Sequence, residues 1–237
     1  MFGNIPFAFL ASIADGCDLG NDSADVRKEI IALKTEFQKD MAASLATRQK
    51  WNDRWQNNLT DSLLPKPHFL ADDWSQRFVG GNMLDAACGL GRGIASCGGS
   101  FSRIYGVDVS DVAVHMARER WAEDDRIQWL VADVTQLNWP KEYFGLVTAF
   151  GFTDLTFFEK LKELIVPGGM FLYEGFSVRQ REVKPELLPA WTTTPEEIRT
   201  LFSGWEILAC GETGGPPYRV HLAAIRPPII EKGERPC

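Results

Sequence analysis

The chain has 237 residues, with 25 Lys and Arg against 32 Asp and Glu, a net charge of −7. Its 45% hydrophobic and 24% charged residues suit a globular protein, long enough for one α/β domain with an N-terminal extension. No apolar run approaches the roughly 18–20 residues of a membrane span, the five cysteines are too irregularly spaced for a disulfide framework, and the acidic balance opposes tracking along nucleic acid.

Residues 1–17 are apolar but lack the charged start and small-residue cleavage site of a signal peptide. They read as an arm packed on the domain or on a second subunit. From Asp22 or Ser23, either of which can cap a helix, Val26, Ile30, Leu33, Phe37, Met41 and Leu45 recur at helical spacing. Such a stripe packs on the domain or pairs with a copy of itself, so a homodimer through this helix is one expectation. The helix runs into Trp51-Asn52-Asp53-Arg54-Trp55, a turn follows at Pro65 and Pro67, and a short helix is expected over Phe69–Phe78. Gly80-Gly81 then breaks the chain. The division is residues 1–80, an arm and helical cover or dimerisation segment, and residues 81–237, the main domain.

Beyond Asn82 short apolar runs alternate with amphipathic stretches. Strands are expected at Met83–Ala87, Ile104–Val109, Ile127–Ala132, Leu146–Phe150, Met170–Phe176, Trp205–Cys210 and Val220–Ile225. Helical patterns fall at Asp111–Glu123, Thr156–Leu164 and Pro195–Phe202. Alternation of this kind implies parallel βαβ units with right-handed crossovers. The last two strands are joined by Gly214-Gly215-Pro216-Pro217, which predicts a hairpin at the sheet edge. The fold class is therefore α/β: a Rossmann-like, doubly wound, seven-stranded and mostly parallel sheet with an antiparallel last strand, plus an N-terminal helical extension.

Ligands of such sheets bind beyond the carboxyl ends of the strands. After the first strand stand Asp85-Ala86-Ala87-Cys88-Gly89-Leu90-Gly91-Arg92, where the two glycines let a ligand approach the backbone. A dinucleotide fingerprint needs a third Gly or Ala where this chain has Ile94, which counts against a nucleotide-dependent oxidoreductase. Asp85 repels a pyrophosphate and favours a cationic ligand. Asp108 is placed to accept from two ribose hydroxyls. Asp133 can accept from the exocyclic amine of adenine, with Val109 and Val134 against its faces.

The run Asp85-x-x-Cys88-Gly89-x-Gly91-Arg92, then Gly106-Val107-Asp108-Val109-Ser110, then Ala132-Asp133, resembles the first three motifs of class I S-adenosylmethionine-dependent methyltransferases. Leu164-Ile165-Val166-Pro167-Gly168-Gly169 is similar to that family's turn before strand five. Cys-Gly-x-Gly-Arg with Phe171–Phe176 is most similar to the small-molecule tellurite-resistance, thiol and thiopurine type. Trp51-x-x-x-Trp55 resembles the Trp-rich segment that covers the cofactor in its thiol, thiopurine and halide members. The departure is Thr153-Asp154-Leu155, where tellurite-type relatives carry a Leu-His-Arg-like element; this counts against an oxyanion acceptor.

The resemblance implies S-adenosyl-L-methionine as cofactor. It places Gly89 and Gly91, with Ala86 and Cys88, along the methionine part, and Asp85 near its ammonium group. It also places Asp108 at the ribose, Asp133 and Val134 at the adenine, with Val109 among the cofactor-binding residues, Phe150 at the sulfonium, and Trp55 in the cover. The expected partner is a small-molecule acceptor (thiol, amine, hydroxyl or carboxylate), in the cytoplasm, without metal, membrane or nucleic acid. Phe152, Arg179, Trp191 and Arg219 are the candidates on the acceptor side. Asp154 reads as a helix cap, Cys88 as a lining residue rather than a nucleophile, and His68, His115 and His221 offer no obvious base. The rival reading is a non-catalytic cofactor-binding or assembly module.

Overall fold

The apolar runs between residues 82 and 225 form the strands of one sheet. This computed structural model describes residues 44–57 and 69–228. The strands are β1 (Asn82–Ala86), β2 (Arg103–Asp108), β3 (Ile127–Val131), β4 (Phe144–Phe150), β5 (Ile165–Ser177), β6 (Thr192–Thr193), β7 (Glu206–Glu212) and β8 (Arg219–Ile225). Helix α1 is described over residues 44–57. It is followed by α2 (Phe69–Trp74), α3 (Arg92–Cys97), α4 (Asp111–Arg120), α5 (Leu155–Leu164), α6 (Gln180–Val183) and α7 (Pro195–Leu201).

The strand order is β3-β2-β1-β4-β5-β8-β7, with β6 paired to β5. Neighbours from β3 through β5 run parallel, whereas β8 is antiparallel to both β5 and β7. The expected edge hairpin is therefore present. The sheet has eight strands rather than the expected seven. The additional one, β6, is only two residues long, too short to register as an apolar run. It forms because the extended end of β5, Phe176 and Ser177, offers backbone groups to Thr192 and Thr193. β5 also begins earlier than expected: Ile165 pairs with Phe144, the register shifts, and pairing resumes at Met170 with Leu146.

Alternate residues along the central strands enter opposite core layers. Leu84, Val147, Phe171 and Tyr173 face α5 and α7, burying Phe157, Phe158, Leu161, Ile198 and Phe202. Met83, Leu146, Met170 and Leu172 face the other way, onto Leu70, Ala71, Ile94 and Cys97 of α2 and α3. A sheet covered on both faces explains why its strands are nearly continuous apolar runs. Each large side chain so buried is worth about 1.5–3 kcal/mol.

The chain divides into two compact units, Met1–Gln49 and Lys50–Cys237. In the first, residues 44–49 are helical and Leu45 is exposed. The arm of residues 1–17, the rest of the Val26–Met41 stripe, the homodimer it suggested, Pro65, Pro67 and His68 lie outside the described residues. Among the described residues, no helix is long and apolar enough to cross a membrane.

Candidate functional site

The strand order reverses between β1 and β4, and the sheet opens there, where the glycine-rich loop leaves β1. Ala87, Gly89 and Gly91 all have positive φ, at 53°, 52° and 84°. Three left-handed residues in five turn the chain sharply into α3, and Gly91 donates a 2.8 Å hydrogen bond back to the Cys88 carbonyl. Cys88 and both glycines are buried, and Ala86 is taken fully into the core. Burial and the nearby Asp108 charge hold the Cys88 thiol well above its ordinary pKa, so it stays neutral and unreactive.

Asp85 lies beneath this turn rather than in the open. It is 1% exposed, accepting a hydrogen bond from the Thr148 hydroxyl at 2.7 Å and one from the Ile94 N–H at 3.3 Å. Burial pushes its carboxyl up to about 7, against those hydrogen bonds. A Cβ on Gly93 would run into this carboxylate and the Thr148 hydroxyl, which is why α3 carries glycine in its first turn.

Asp108 ties two loops together. One carboxylate oxygen accepts from the Gly89 N–H at 2.8 Å, and the other from the Ser110 N–H at 2.9 Å. Burial nevertheless leaves its pKa raised. Each oxygen has a second acceptor site that a hydroxyl pair can take. Val109 beside it is half-buried.

Residues 50–57 of α1 cover the same place. Asn52 accepts from the Ser110 hydroxyl at 2.6 Å and donates to Asp111 at 2.7 Å. That bridge sets the indole of Trp55 against Gly89, so near that a Cβ there would lie 2.7 Å from the ring. Trp51 stands 6.1 Å from Trp191, which also carries the Lys50 ammonium 3.9 Å over its ring. These residues, with Asp53, Arg54 and Asn57, line an open cleft of about 260 Å³.

Residues 83–169 match the family model described as a methyltransferase domain. Over that stretch, less than half of its length, the chain is similar to methyltransferase domains. Over 104 residues it is 30% identical to a demethylmenaquinone methyltransferase of Clavibacter sepedonicus, covering 42% of each chain. Over 133 residues it is 29% identical to a 2-phytyl-1,4-naphtoquinone methyltransferase of Thermosynechococcus vestitus, covering 53% of this chain and 59% of the relative. The chain thus spans about half the length of these curated relatives. Among solved structures, the N-methyltransferase NodS of Bradyrhizobium japonicum, crystallised with S-adenosylhomocysteine, superposes with a TM-score of 0.63 at 16% identity, covering 76% of this chain and 98% of that one. A geranyl diphosphate C-methyltransferase of Streptomyces coelicolor superposes with a TM-score of 0.54 at 14% identity, covering 66% and 76%.

The remaining expected residues separate into four groups. Asp133 caps its own turn, accepting from the Thr135 N–H at 2.9 Å and the Thr135 hydroxyl at 2.7 Å, with Val134 buried behind it. Phe152 turns into the core, its ring centroid 6.1 Å from that of Phe157 and 6.3 Å from that of Phe158. Arg179 is engaged with Glu212 at 2.9 Å and lies 4.2 Å over Tyr218, while Glu212 also holds the Ser177 hydroxyl. Phe150 and Arg219 stay at the mouth, joined through Arg92 and Glu174.

Asp154 caps α5, accepting from the Phe157 N–H at 2.8 Å. His115 is exposed on α4 beside Glu119, and His221 lies in β8 opposite Glu174. Sequence reasoning assigned no role to Asn52, Thr148, Arg92 or Glu174. Asn52 had a signal, a short polar side chain between two tryptophans on the cover helix. The other three have partners that only the folded chain brings near.

Proposed function

We propose that the chain is an S-adenosylmethionine-dependent methyltransferase acting on a small molecule in the cytoplasm. The observation that carries this reading is Asp108, whose buried carboxylate is aimed by the Gly89 and Ser110 N–H groups at the mouth of a glycine turn. The residues fit the cofactor's chemistry: positive-φ glycines leave the backbone open to it, Asp108 suits a ribose diol, and Asp133 with Val109 and Val134 suits an adenine. Half-buried Phe150 offers a π-face to a sulfonium.

When bound, S-adenosylmethionine would be held by Gly89, Gly91, Asp108 and Asp133, and would supply an electrophilic methyl group on a sulfonium sulfur. The chain's own work is to orient and to exclude water. Trp55 and the Asn52–Ser110 bridge close α1 over the glycine turn, and Trp51 with Trp191 narrows the approach. Holding two reactants at about 3–3.5 Å in line removes several kcal/mol of barrier without a general base. The names of the curated relatives, both acting on quinone-type small molecules, support a small acceptor.

Isothermal titration with S-adenosylhomocysteine tests the proposal. Micromolar binding is expected, weakened at least tenfold in Asp108→Ala through loss of charged hydrogen bonds. Absence of binding by the unmodified chain would end the proposal.

A further inference from the structure

We propose that Arg92 and Arg219 form an anion clamp that selects a flat acceptor bearing a carboxylate. This rests on the methyltransferase reading for the word acceptor; the clamp itself rests on geometry. Both guanidinium groups approach one oxygen, Oε1 of Glu174, with Nη1 of Arg92 at 3.6 Å and Nη1 of Arg219 at 3.4 Å. A full charge-assisted hydrogen bond is shorter, about 2.7–2.9 Å, so neither arginine spends its donors on Glu174. Neither is engaged by a second carboxylate among the described residues.

The charges are layered. The Glu174 side chain is 8% exposed, whereas those of Arg219 and Arg92 are 25% and 41% exposed. The anion is the floor and the two cations face outward. One arginine suffices to neutralise Glu174, and the second leaves this point of an acidic chain carrying one net positive charge.

The surroundings decide which anion. Arg92 lies 5.9 Å over the Phe150 ring and Arg219 lies 4.7 Å over the Phe176 ring. A guanidinium over an aromatic face can present its N–H edge to a planar, bidentate partner. Phe150 pairs with Glu174, and Phe176 with Arg219, at the carboxyl ends of β4 and β5. Half-buried aromatic rings at that height suit the body of a flat organic acid. A single carboxylate balances the surplus charge, while a dianionic phosphate brings its second charge against buried Glu174. Arg179 is excluded from the clamp because Glu212 already satisfies it at 2.9 Å.

The test uses the full chain and the arginine Nε–H signals in NMR, with sodium benzoate as probe and benzamide, benzylamine and inorganic phosphate as comparison arms. Benzoate is expected to shift the Arg92 and Arg219 signals and to bind at least tenfold more tightly than benzamide. Arg219→Gln is expected to lower that affinity about tenfold, and Arg219→Lys to restore part of it. Should Arg219→Gln lose its native circular dichroism, Arg92→Gln carries the same expectation. Equal binding of benzamide or benzylamine, equal shifts with phosphate, or shifts confined to Arg179 would overturn the clamp. Each titration is run with and without S-adenosylhomocysteine. Failure of the nucleoside to bind counts against the methyltransferase reading alone, while the benzoate shifts decide the clamp in either sample.

Discussion

Asp85 and Thr148 face each other in register across β1 and β4, and the threonine hydroxyl donates a 2.7 Å hydrogen bond to the carboxylate. The pair is sealed from water beneath α3, and burial pushes Asp85 up to about 7 from an ordinary 3.8. Between those two values the folded chain holds a proton that the unfolded chain releases. Unfolding free energy therefore falls as pH rises from about 4 to about 7, and this contribution is flat above that. The whole effect is on the order of 4 kcal/mol. Urea midpoints measured from pH 4 to 8 are expected to decline more steeply for the unmodified chain than for Asp85→Asn. Parallel curves would show that Asp85 does not titrate in this window.

Two glycines, Gly89 in the turn after β1 and Gly93 in the first turn of α3, differ in what an added methyl group meets. At Gly93 a Cβ strikes the Asp85 carboxylate and the Thr148 hydroxyl, both buried and fixed. At Gly89 it meets the Trp55 indole at 2.7 Å, a side chain on a cover helix that can swing aside, though φ of +52° adds strain. Gly93→Ala is expected to cost about 1–3 kcal/mol through overpacking, and Gly89→Ala about 1 kcal/mol from the backbone. Gly89→Ala should also change tryptophan fluorescence as Trp55 is displaced. Thermal melts of the two variants rank them, and a larger loss at Gly89 would contradict the packing described.

A polar bridge ties the cover helix to the loop that follows β2. Asn52 both accepts from Ser110 and donates to Asp111, so Asn52→Ala removes two hydrogen bonds worth about 1 kcal/mol each. Faster amide exchange is expected across residues 50–57, with little change in the sheet. S-adenosylhomocysteine affinity should fall roughly 3–10-fold, the range that 0.7–1.4 kcal/mol corresponds to. Unchanged exchange would mean that the Asn52 bridge does not hold the helix.

Much of this was legible in the sequence, because it is carried by local pattern. Met83–Ala87 and Ile104–Val109 read as strands since a sheet buried on both faces leaves no polar alternation, and they appear as Asn82–Ala86 and Arg103–Asp108. Asp154 read as a cap from spacing alone, and it caps. What spacing cannot reveal is which of two faces a loop residue takes. Phe152, two residues beyond β4, turned into the core against Phe157 and Phe158 rather than toward the acceptor. Arg179 found Glu212 on a strand that is distant in sequence. Glu174 and Arg92 were given no role, although both stand in stretches that carry the resemblance, because their meaning lies in a contact across the sheet.

The floor below the mouth contains a buried hydroxyl pair. Tyr173 and Thr153 share a 2.9 Å hydrogen bond, with Tyr173 fully buried and Thr153 6% exposed. Burial raises the Tyr173 pKa well beyond its ordinary value, so the phenol stays protonated and serves packing rather than proton transfer. A Cβ on Gly175 would strike both hydroxyls, which fixes a glycine there and brings the backbone of β5 close over the pair. Tyr173→Phe leaves the Thr153 hydroxyl buried without this partner, at an expected cost of about 1–3 kcal/mol. Removing both hydroxyls in Tyr173→Phe with Thr153→Val restores apolar contact, so the double variant is expected to be more stable than the sum of the two single losses. A double-mutant cycle from urea unfolding measures the difference, and strict additivity would show that the two hydroxyls do not depend on each other.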